Sequence, residues 1–510
     1  MQLMTTEIFS LAKYLAASRP EFSLSEMNQY LSKRYEEKEL FEILKMHFYE
    51  LGLFCSPDLK CSKLVKRALP PDELVVTELE GLLKEPVLPL RIEKLVTSYI
   101  ERTCGKNWNT GDTARLIREN IVSQKEEYWK GGGGTGYPKI RIVSYLLYHF
   151  PVYFCQYQYL LLELFKGGLL FNKMRIIDAG SGPGTIALST VDFFRKLQDA
   201  YSRNNIDVKL SLRIESIEKE LENIVCYQEL CGNYLSGSRE SGANIIIGEP
   251  VRSPIETAPV PHDADLVVFS NVLAELKSTP PERANVVERL ASGSKDPTLI
   301  IIEPADLDNS KALRITQQTL VRKGFNVYSP CSFIWGKMCS GDNCWSFKEQ
   351  GNITAPDFMK KIADTADSYR YMNMDMKFSS VILMKGALIS KRGDSSKAPS
   401  KHNYRAKGKF MALSNLKKHI EKHINVAASV MSGNLGNEKT LVFKICDGTA
   451  REPCYAIMPV YHMSENNREL LEANYGDIVE IFGVLVRENK DQSSFNLLVT
   501  RNTIVRITGV

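Results

Sequence analysis

Apolar residues in the first 130 positions recur three and four apart, which is the repeat of amphipathic helices. The run EKELFEILKMHFYELGLF shows this spacing. The run SLSEMNQYLSKRYEE precedes it, and its first residue, Ser23, is of the type expected at a helix N-cap. We therefore predict a helical N-terminal region over 1–130, with a winged helix as one possible arrangement. The glycine run 131–134 ends this pattern. An aromatic-rich segment follows it, and we predict a helical lead-in over 131–172 that packs as core.

From Met174 onward the pattern changes to short β-branched runs that alternate with helical ones. The runs are MRIIDAG, LSLRIESIE, DLVVFSNV, TLIIIEP, FNVYSP and KFSSVILMKG. Strands and helices that alternate in this way predict a mostly parallel sheet covered on both faces. We therefore predict an α/β fold with a Rossmann-like sheet over 173–390.

The C-terminal quarter has a third pattern. A basic stretch rich in Ser and Gly predicts a linker over 391–409, and five apolar runs over 410–510 predict strands. A short helical run, NNRELLEANY, precedes the fourth of these strands. This order predicts an OB-type β-barrel.

Composition narrows the class of protein. The chain has 510 residues, of which 44% are hydrophobic and 25% charged, as in folded multidomain proteins. No run approaches the roughly 18 apolar residues of a membrane span, and the N-terminus lacks a signal or transit pattern. We therefore expect a cytoplasmic chain without a membrane partner. Its net charge of +5 permits a nucleic-acid partner, and its eleven cysteines indicate metal or redox chemistry rather than a disulfide framework.

A glycine-rich turn follows the first strand of the predicted sheet. In MRIIDAGSGPGT the strand ends at Asp178, and Gly180, Gly182 and Gly184 lead into a helix. Glycines let the backbone approach a ligand closely, and the helix N-terminus offers N–H groups to an anion. The acidic strand end and the proline within the loop resemble the first motif of methyltransferases and favour S-adenosylmethionine. A dinucleotide remains an alternative, because the spacing also fits that pattern.

The ends of the later strands supply further candidates. The second strand should end in an acid that binds ribose hydroxyls; Glu218 is preferred over Glu215, because the apolar run ends there. After the fourth strand, Asn271 is a candidate cofactor contact, and Asn271 and Glu275 are the candidate catalytic groups. Glu275 also has a purely structural interpretation, as a carboxylate at the N-terminus of a helix, where the helix dipole stabilises negative charge. The catalytic residue itself is not assigned.

Three cysteines stand close together in the loop over 330–347. Cys331, Cys339 and Cys344 lie among Gly and Asp residues, with no histidine near in sequence. A thiolate set suits zinc or an iron–sulfur cluster. The fourth ligand must come from elsewhere in the chain, and Cys446 and Cys454 are the candidates.

The order of these motifs resembles the methyltransferase-like family associated with assembly of the small ribosomal subunit, which has mitochondrial, bacterial and archaeal members. The motifs are YHFPVYFCQYQYLLLELF, IIDAGSGPGT, DLVVFSNVLAEL, the Pro-Cys segment ending in Cys-Trp, KFSSVILMKG and Cys-Asp-Gly at 446–448. The resemblance implies a methyltransferase fold, small-subunit rRNA and a subunit precursor as partners, and a 4Fe-4S cluster. Zinc stays the alternative that the thiolate set itself allows. By position, the resemblance implies Cys331, Cys339, Cys344 and Cys446 as the four ligands. This chain departs from the family in the gap after Cys331 and in Ser332-Phe333, which replace Pro-His.

Three functions follow from these observations. The first is an rRNA methyltransferase, and the second is a ribosome-assembly factor with a vestigial cofactor site. The third is a dinucleotide-dependent redox enzyme. For the first two we predict a basic, aromatic RNA face on the barrel, formed by Lys439, Phe443, Lys444, Arg451, Tyr455 and Arg487.

Overall fold

The computed structural model divides the chain into two compact units. Unit 1 comprises residues 1–259, 264–268 and 352–374, and unit 2 comprises 260–263, 269–351 and 375–510. The structure describes residues 2–130, 138–236, 243–336, 339, 344–385, 401 and 404–508. Two predicted segments lie largely outside these residues. They are the basic linker, of which 391–400, 402 and 403 are not described, and the glycine run 131–134.

Unit 1 begins with helices and a small antiparallel sheet. The helices are α1 (Gln2–Ser18), α2 (Leu24–Tyr30), α3 (Glu37–Lys45) and α4 (Phe48–Leu51), and the strands are β1 (Glu21–Ser23), β2 (Leu53–Cys55) and β3 (Lys60–Lys63). Strand β3 pairs antiparallel with both β1 and β2. The sequence predicted helices alone, because strands of three or four residues are too short to show alternation. The winged helix stays a prediction with which this element order agrees.

Five longer helices follow in unit 1. They are α5 (Glu73–Lys84), α6 (Leu90–Cys104), α7 (Gly111–Lys130), α8 (Pro138–Tyr148) and α9 (Phe150–Lys166). Almost every residue of α9 is buried, so its aromatic surplus is core packing, as predicted. None of the helices that the structure describes is long and apolar enough to cross a membrane.

The parallel strands of unit 1 carry the glycine loop. The elements are β4 (Lys173–Ala179), α10 (Thr185–Arg203), β5 (Ser211–Glu218), α11 (Leu221–Ser236), β6 (Asn244–Ile247) and β7 (Val251–Arg252). Strand β5 pairs in parallel with β4, β6 and β7. Ala179 is in register with Ile217, so Asp178 and Glu218 come close to the same edge of the sheet. Strand β8 (Leu266–Ser270) begins in unit 1 and ends in unit 2.

Unit 2 contains a second group of strands. The next elements are α12 (Pro280–Ala291), β9 (Thr298–Pro304), α13 (Leu307–Arg322), β10 (Asn326–Ser329), β11 (Lys348–Gln350), α14 (Asp357–Ile362, in unit 1) and β12 (Met376–Met384). Strand β12 pairs antiparallel with β9, β10 and β11. The predicted strands are therefore present, and the predicted parallel pairing does not extend to β12. A fully apolar run does not reveal the direction of its strand.

The C-terminal strands of unit 2 form a closed barrel. They are β13 (His423–Val430), β14 (Thr440–Cys446), β15 (Cys454–Pro459), β16 (Ile478–Asn489), β17 (Ser494–Leu498) and β18 (Ile504–Thr508), with α15 (Glu469–Glu472) before β16. The ring runs β13-β14-β15-β17-β16 and closes through β13–β16, and β18 pairs with β16. The predicted five-stranded barrel is confirmed. The last predicted run proves to be two strands, separated by a turn in which Thr503 N donates to Thr500 O at 3.0 Å.

Candidate functional site

The glycine loop of unit 1 joins β4 to α10 in a backbone that requires glycine. Gly180, Gly182 and Gly184 have φ of +80°, +53° and +96°. A Cβ at Gly184 would lie 3.0 Å from Cys231 Sγ and 3.1 Å from Tyr227 Cδ2. A side chain at position 184 is therefore opposed by both the backbone and the packing.

Asp178, at the end of β4, is a buried carboxyl group without a partner. Its exposed fraction is 1%, and among the described residues neither of its oxygens accepts a hydrogen bond. The hydroxyl of Ser181, in the glycine loop, is also buried and has no hydrogen-bond partner among the described residues. Burial and the nearby Glu218 carboxylate hold the pKa of Asp178 well above its usual value. Because buried polar groups in proteins are nearly always paired, these two side chains indicate a site for a hydrogen-bonding ligand.

Glu218 holds the glycine loop, and Glu215 does not. Glu218 Oε2 accepts from Gly182 N at 2.8 Å, and its Oε1 accepts from Glu220 N at 2.9 Å. Glu215 instead pairs with Arg175 and Arg213 at 2.8 and 2.6 Å. Burial opposes ionisation of Glu215, but hydrogen bonds from these arginines lower its pKa below its usual value. The structure thus brings Glu218 to the predicted cofactor loop and gives Glu215 a structural role.

Asn271, directly after β8 in unit 2, has a strained backbone. Its φ is +53°, it is buried, and its N–H donates to Ile302 O at 2.8 Å. Such a conformation is disfavoured for most residues other than glycine, and asparagine is among those that tolerate it best. Glu275, four residues further on, is exposed and lies in a turn, so its alternative role as a helix N-terminal carboxylate is wrong. The catalytic roles proposed for both residues stay predictions.

Glu303, at the end of β9, fixes the turn that follows Asn271. Its two oxygens accept from Leu273 N at 3.0 Å and from Ala274 N at 3.1 Å. Burial raises the pKa of Glu303 to about 8, against the opposing effect of these two donors. No role was predicted for Glu303. Its position after an apolar strand, like that of Asp178, is the signal that identifies it.

The four predicted metal-binding cysteines line one small cavity of unit 2. Cys331, Cys339, Cys344 and Cys446 surround a volume of about 20 Å³. Cys454 lies instead in the barrel core, where its Sγ is 3.5 Å from Glu452 O. Among the described residues, no group of three or more Cys, His, Asp or Glu side chains already has an arrangement that holds a metal ion.

Hydrogen-bond donors face three of these sulfur atoms. Gln317 Nε2 is 3.5 Å from Cys331 Sγ, Gln318 Nε2 is 3.7 Å from Cys339 Sγ, and Gly448 N is 3.3 Å from Cys446 Sγ. Burial raises the pKa of Cys331 to about 12 and that of Cys446 well above its usual value. Burial thus favours the thiols, the donors aimed at sulfur act in the opposite direction, and a bound metal would be needed to displace the protons.

Arg314, on α13, brings a buried positive charge to the same cavity. Its exposed fraction is 1%, and among the described residues its hydrogen bonds go to uncharged oxygens only. These are Gln317 Oε1 at 2.6 Å, Ser380 O at 2.9 Å, Tyr475 OH at 3.0 Å, Ser346 Oγ at 3.1 Å and Ser379 Oγ at 3.3 Å. A buried guanidinium needs a negative partner, and the cysteines beside it are the groups that can supply one. Arg314 lies near them in space, but nothing in the sequence links it to them.

The predicted RNA face of the barrel is partly wrong. Phe443 belongs to the barrel core, and Lys444 is buried with its Nζ bonded to Trp345 O. Lys439, Arg451 and Arg487 are exposed. Consecutive residues of a strand point to opposite faces, so Phe443 and Lys444 were not a plausible pair for one surface.

Solved structures show weak likeness to the chain. A methyltransferase from Pyrococcus furiosus is 12% identical, covers 42% of this chain and 76% of its own, and has a TM-score of 0.25. A fibrillarin/Nop5p complex is 11% identical over 42% and 75%, with a TM-score of 0.22. The p204 HINb domain is 11% identical over 19% of this chain and 47% of its own, about half its length, with a TM-score of 0.16. These scores do not establish a shared fold, and no curated protein matches the chain.

Two family models match separate parts of the sequence. One, a domain of unknown function, the DUF8157 C-terminal domain, covers residues 414–508, which include the barrel. The other covers residues 139–350, which include the glycine loop and three of the four cysteines. Over that segment the chain is similar to the family described as "Mitochondrial small ribosomal subunit Rsm22".

Proposed function

We propose that the chain is an S-adenosylmethionine-binding, methyltransferase-like protein that acts on the precursor of the small ribosomal subunit and binds its rRNA. The observation that carries the cofactor assignment is the unpartnered carboxylate of Asp178 beneath the glycine loop. The link to the small subunit is supported by the family match over residues 139–350. The parallel pairing of β4, β5 and β6 supports the Rossmann-like sheet.

The residues around the loop fit the chemistry of this cofactor. Asp178 offers two free acceptors to an α-ammonium group, and the first N–H groups of α10 suit a carboxylate. Glu218 stands where an acid is needed for ribose hydroxyls. When bound, the cofactor supplies an electrophilic methyl group. Since transfer depends mainly on in-line positioning, the chain needs no strong base of its own, and Asn271 stays a predicted contact.

Asp178→Ala is expected to weaken S-adenosylmethionine binding at least tenfold, because one charge-assisted hydrogen bond contributes about 1.5–3 kcal/mol. Isothermal titration calorimetry of the full chain measures this change. Asp199→Ala, which removes an exposed carboxylate from α10, is the matched control and should bind as the unchanged chain does. Equal binding by both variants would exclude Asp178 from the site, and tight binding of NADH instead would identify the loop as a dinucleotide site.

Catalysis is a separate question from cofactor binding. Small-subunit precursor particles incubated with methyl-labelled cofactor should yield labelled rRNA with the unchanged chain and not with Asp178→Ala. Cofactor binding without transfer would favour the second function, an assembly factor whose cofactor site is vestigial.

We further propose that Cys331, Cys339, Cys344 and Cys446 bind a metal with a structural role. The support is their shared cavity, the donors that face three of the sulfurs and the buried charge of Arg314. Zinc and the 4Fe-4S cluster that the resemblance implies both take thiolate ligands of this kind.

Cys344→Ser is expected to abolish stoichiometric metal binding and to lower the melting temperature of the chain, because a structural metal contributes directly to folding. Anaerobic purification followed by iron, sulfide and zinc analysis and a visible spectrum measures the metal. Cys104→Ser changes a cysteine outside the cavity and should leave the metal content unaltered. Metal content equal in all three proteins would remove the site from the proposal.

The barrel is our proposed rRNA contact. Its ring order, with β15 and β17 parallel, supports an OB-type barrel, a fold that often binds single-stranded nucleic acid. Lys439, Arg451 and Arg487 are the exposed cations of the predicted face, and Arg487 also pairs with Glu421 at 2.9 Å. A cytoplasmic location stays part of the proposal.

A further inference from the structure

A larger cavity in unit 1 belongs to neither proposed site. It has a volume of about 570 Å³ and lies between α7 and the segment 365–371. Side chains of both signs line it, with an excess of arginine: Arg115, Arg118, Glu119, Asp367, Arg370 and Tyr371. A volume of this size is within the range of small-ligand sites.

The cations around this cavity are packed close together. Lys125, two turns after Arg118 on α7, donates to the backbone oxygen of Arg370 and lies 4.3 Å from the centre of the Tyr148 ring. Burial, and then the positive charge of Arg370, lower the pKa of Lys125 to about 8. Like charges held together in this way create a field that attracts an anion.

The ion pairs within the cavity wall are weak. Arg370 is 4.0 Å from Asp367, and both side chains are about half exposed. Arg115 pairs with Asp112 at 2.9 Å, and both are largely exposed. Exposed pairs of this kind contribute little to stability, so an incoming anion can replace them at little cost.

Arg118 is held in place for such an anion. Its Nε donates to Ile362 O at 2.9 Å, and its guanidinium lies over the Tyr371 ring, 5.8 Å from the ring centre. Among the described residues its two terminal nitrogens donate no hydrogen bond, so the planar fork is left for a ligand. A fixed guanidinium fork matches the paired oxygens of a phosphate.

We propose that this cavity binds a phosphate group, and that its natural source is the RNA backbone. Several arginines around one cavity are a common arrangement for binding phosphate in proteins. The choice of RNA as the source rests on the proposed binding of rRNA. A free nucleotide or inorganic phosphate would present the same phosphate group, and the test below distinguishes these sources from RNA.

The test compares the full chain with Arg115→Gln/Arg370→Gln. Both arginine side chains are exposed, and the Arg370 backbone oxygen that Lys125 needs is retained, so the fold should be preserved, as circular dichroism and melting will check. The control is Arg34→Gln/Arg203→Gln, which removes the same charge from exposed ion pairs with Glu7 and Glu78. The probe is a fluorescein-labelled single-stranded RNA of twelve nucleotides, titrated at several salt concentrations.

We expect the cavity variant to bind this RNA about tenfold more weakly than the control does. Its salt dependence should also fall, by about 0.7 in log–log slope for each RNA phosphate that the variant no longer neutralises. If RNA binding is unchanged but AMP and inorganic phosphate bind the unchanged chain and not the variant, the cavity is a phosphate site with a small-molecule source. If both variants behave alike with all three probes, the proposal is overturned. Calorimetry with S-adenosylmethionine, which neither variant should affect, keeps this outcome distinct from failure of the cofactor site.

Discussion

Arg314→Leu is expected to lower the free energy of unfolding of unit 2 by about 3–5 kcal/mol, because it removes a buried charge and leaves its partners unpaired. The guanidinium contacts α13, β12 and Tyr475 of the barrel segment at once, so its loss loosens all three. Hydrogen exchange of peptides from β12 and β14 measures the change within unit 2. Metal content should fall in parallel if the cysteines carry negative charge.

Arg322→Leu is the matched control for this substitution. Arg322 ends the same helix and is exposed, so its replacement should change stability by no more than about 0.5 kcal/mol. Equal exchange in the two variants would show that the buried charge of Arg314 does not stabilise the unit.

Gly184→Ala is expected to destabilise unit 1 by about 2–4 kcal/mol and to remove measurable S-adenosylmethionine binding. A left-handed backbone costs an alanine about 1–2 kcal/mol, and forced packing adds about 1–3 kcal/mol. The packing cost arises because the new methyl group would press on Cys231 and Tyr227. Urea unfolding, monitored by hydrogen exchange of α10, measures the loss of stability. Calorimetry measures the loss of S-adenosylmethionine binding.

Gly182→Ala is the control that separates the backbone cost from the packing cost. Gly182 also has a positive φ, but a Cβ there meets no atom within 4 Å. Only the backbone cost of about 1–2 kcal/mol is therefore expected. A loss of stability at Gly184 no greater than that at Gly182 would contradict the packing argument.

Features set by neighbouring residues could be predicted from the sequence. The glycine loop follows an apolar strand and precedes an amphipathic helix, so its position was predictable without any long-range contact. The barrel strands could be predicted for the same reason. The boundary between β17 and β18 could not, because the turn at Thr500–Thr503 contains neither Gly nor Pro.

Features that depend on contacts distant in sequence were not predictable in the same way. Local pattern left Cys446 and Cys454 as equal candidates; strand register then places one at the cavity and the other in the barrel core. Arg314 was missed because its importance arises from partners across the fold. Lys444 was misassigned because its ammonium group reaches the carbonyl of Trp345, about a hundred residues earlier.

The cysteine cavity also constrains the order in which the protein matures. Its wall includes Cys331 from the segment after β10 and Cys446 from the end of β14, and Tyr475 completes the hydrogen bonds of Arg314 behind it. A ribosome must therefore translate the chain as far as the end of β14 before the four sulfurs can meet. Loading of the proposed metal would then be a late event in biogenesis, and a chain truncated before the barrel would be left with three cysteines and an unfinished cavity. If the proposed metal binds there, the metal content of a purified sample would report whether translation had continued past Cys446.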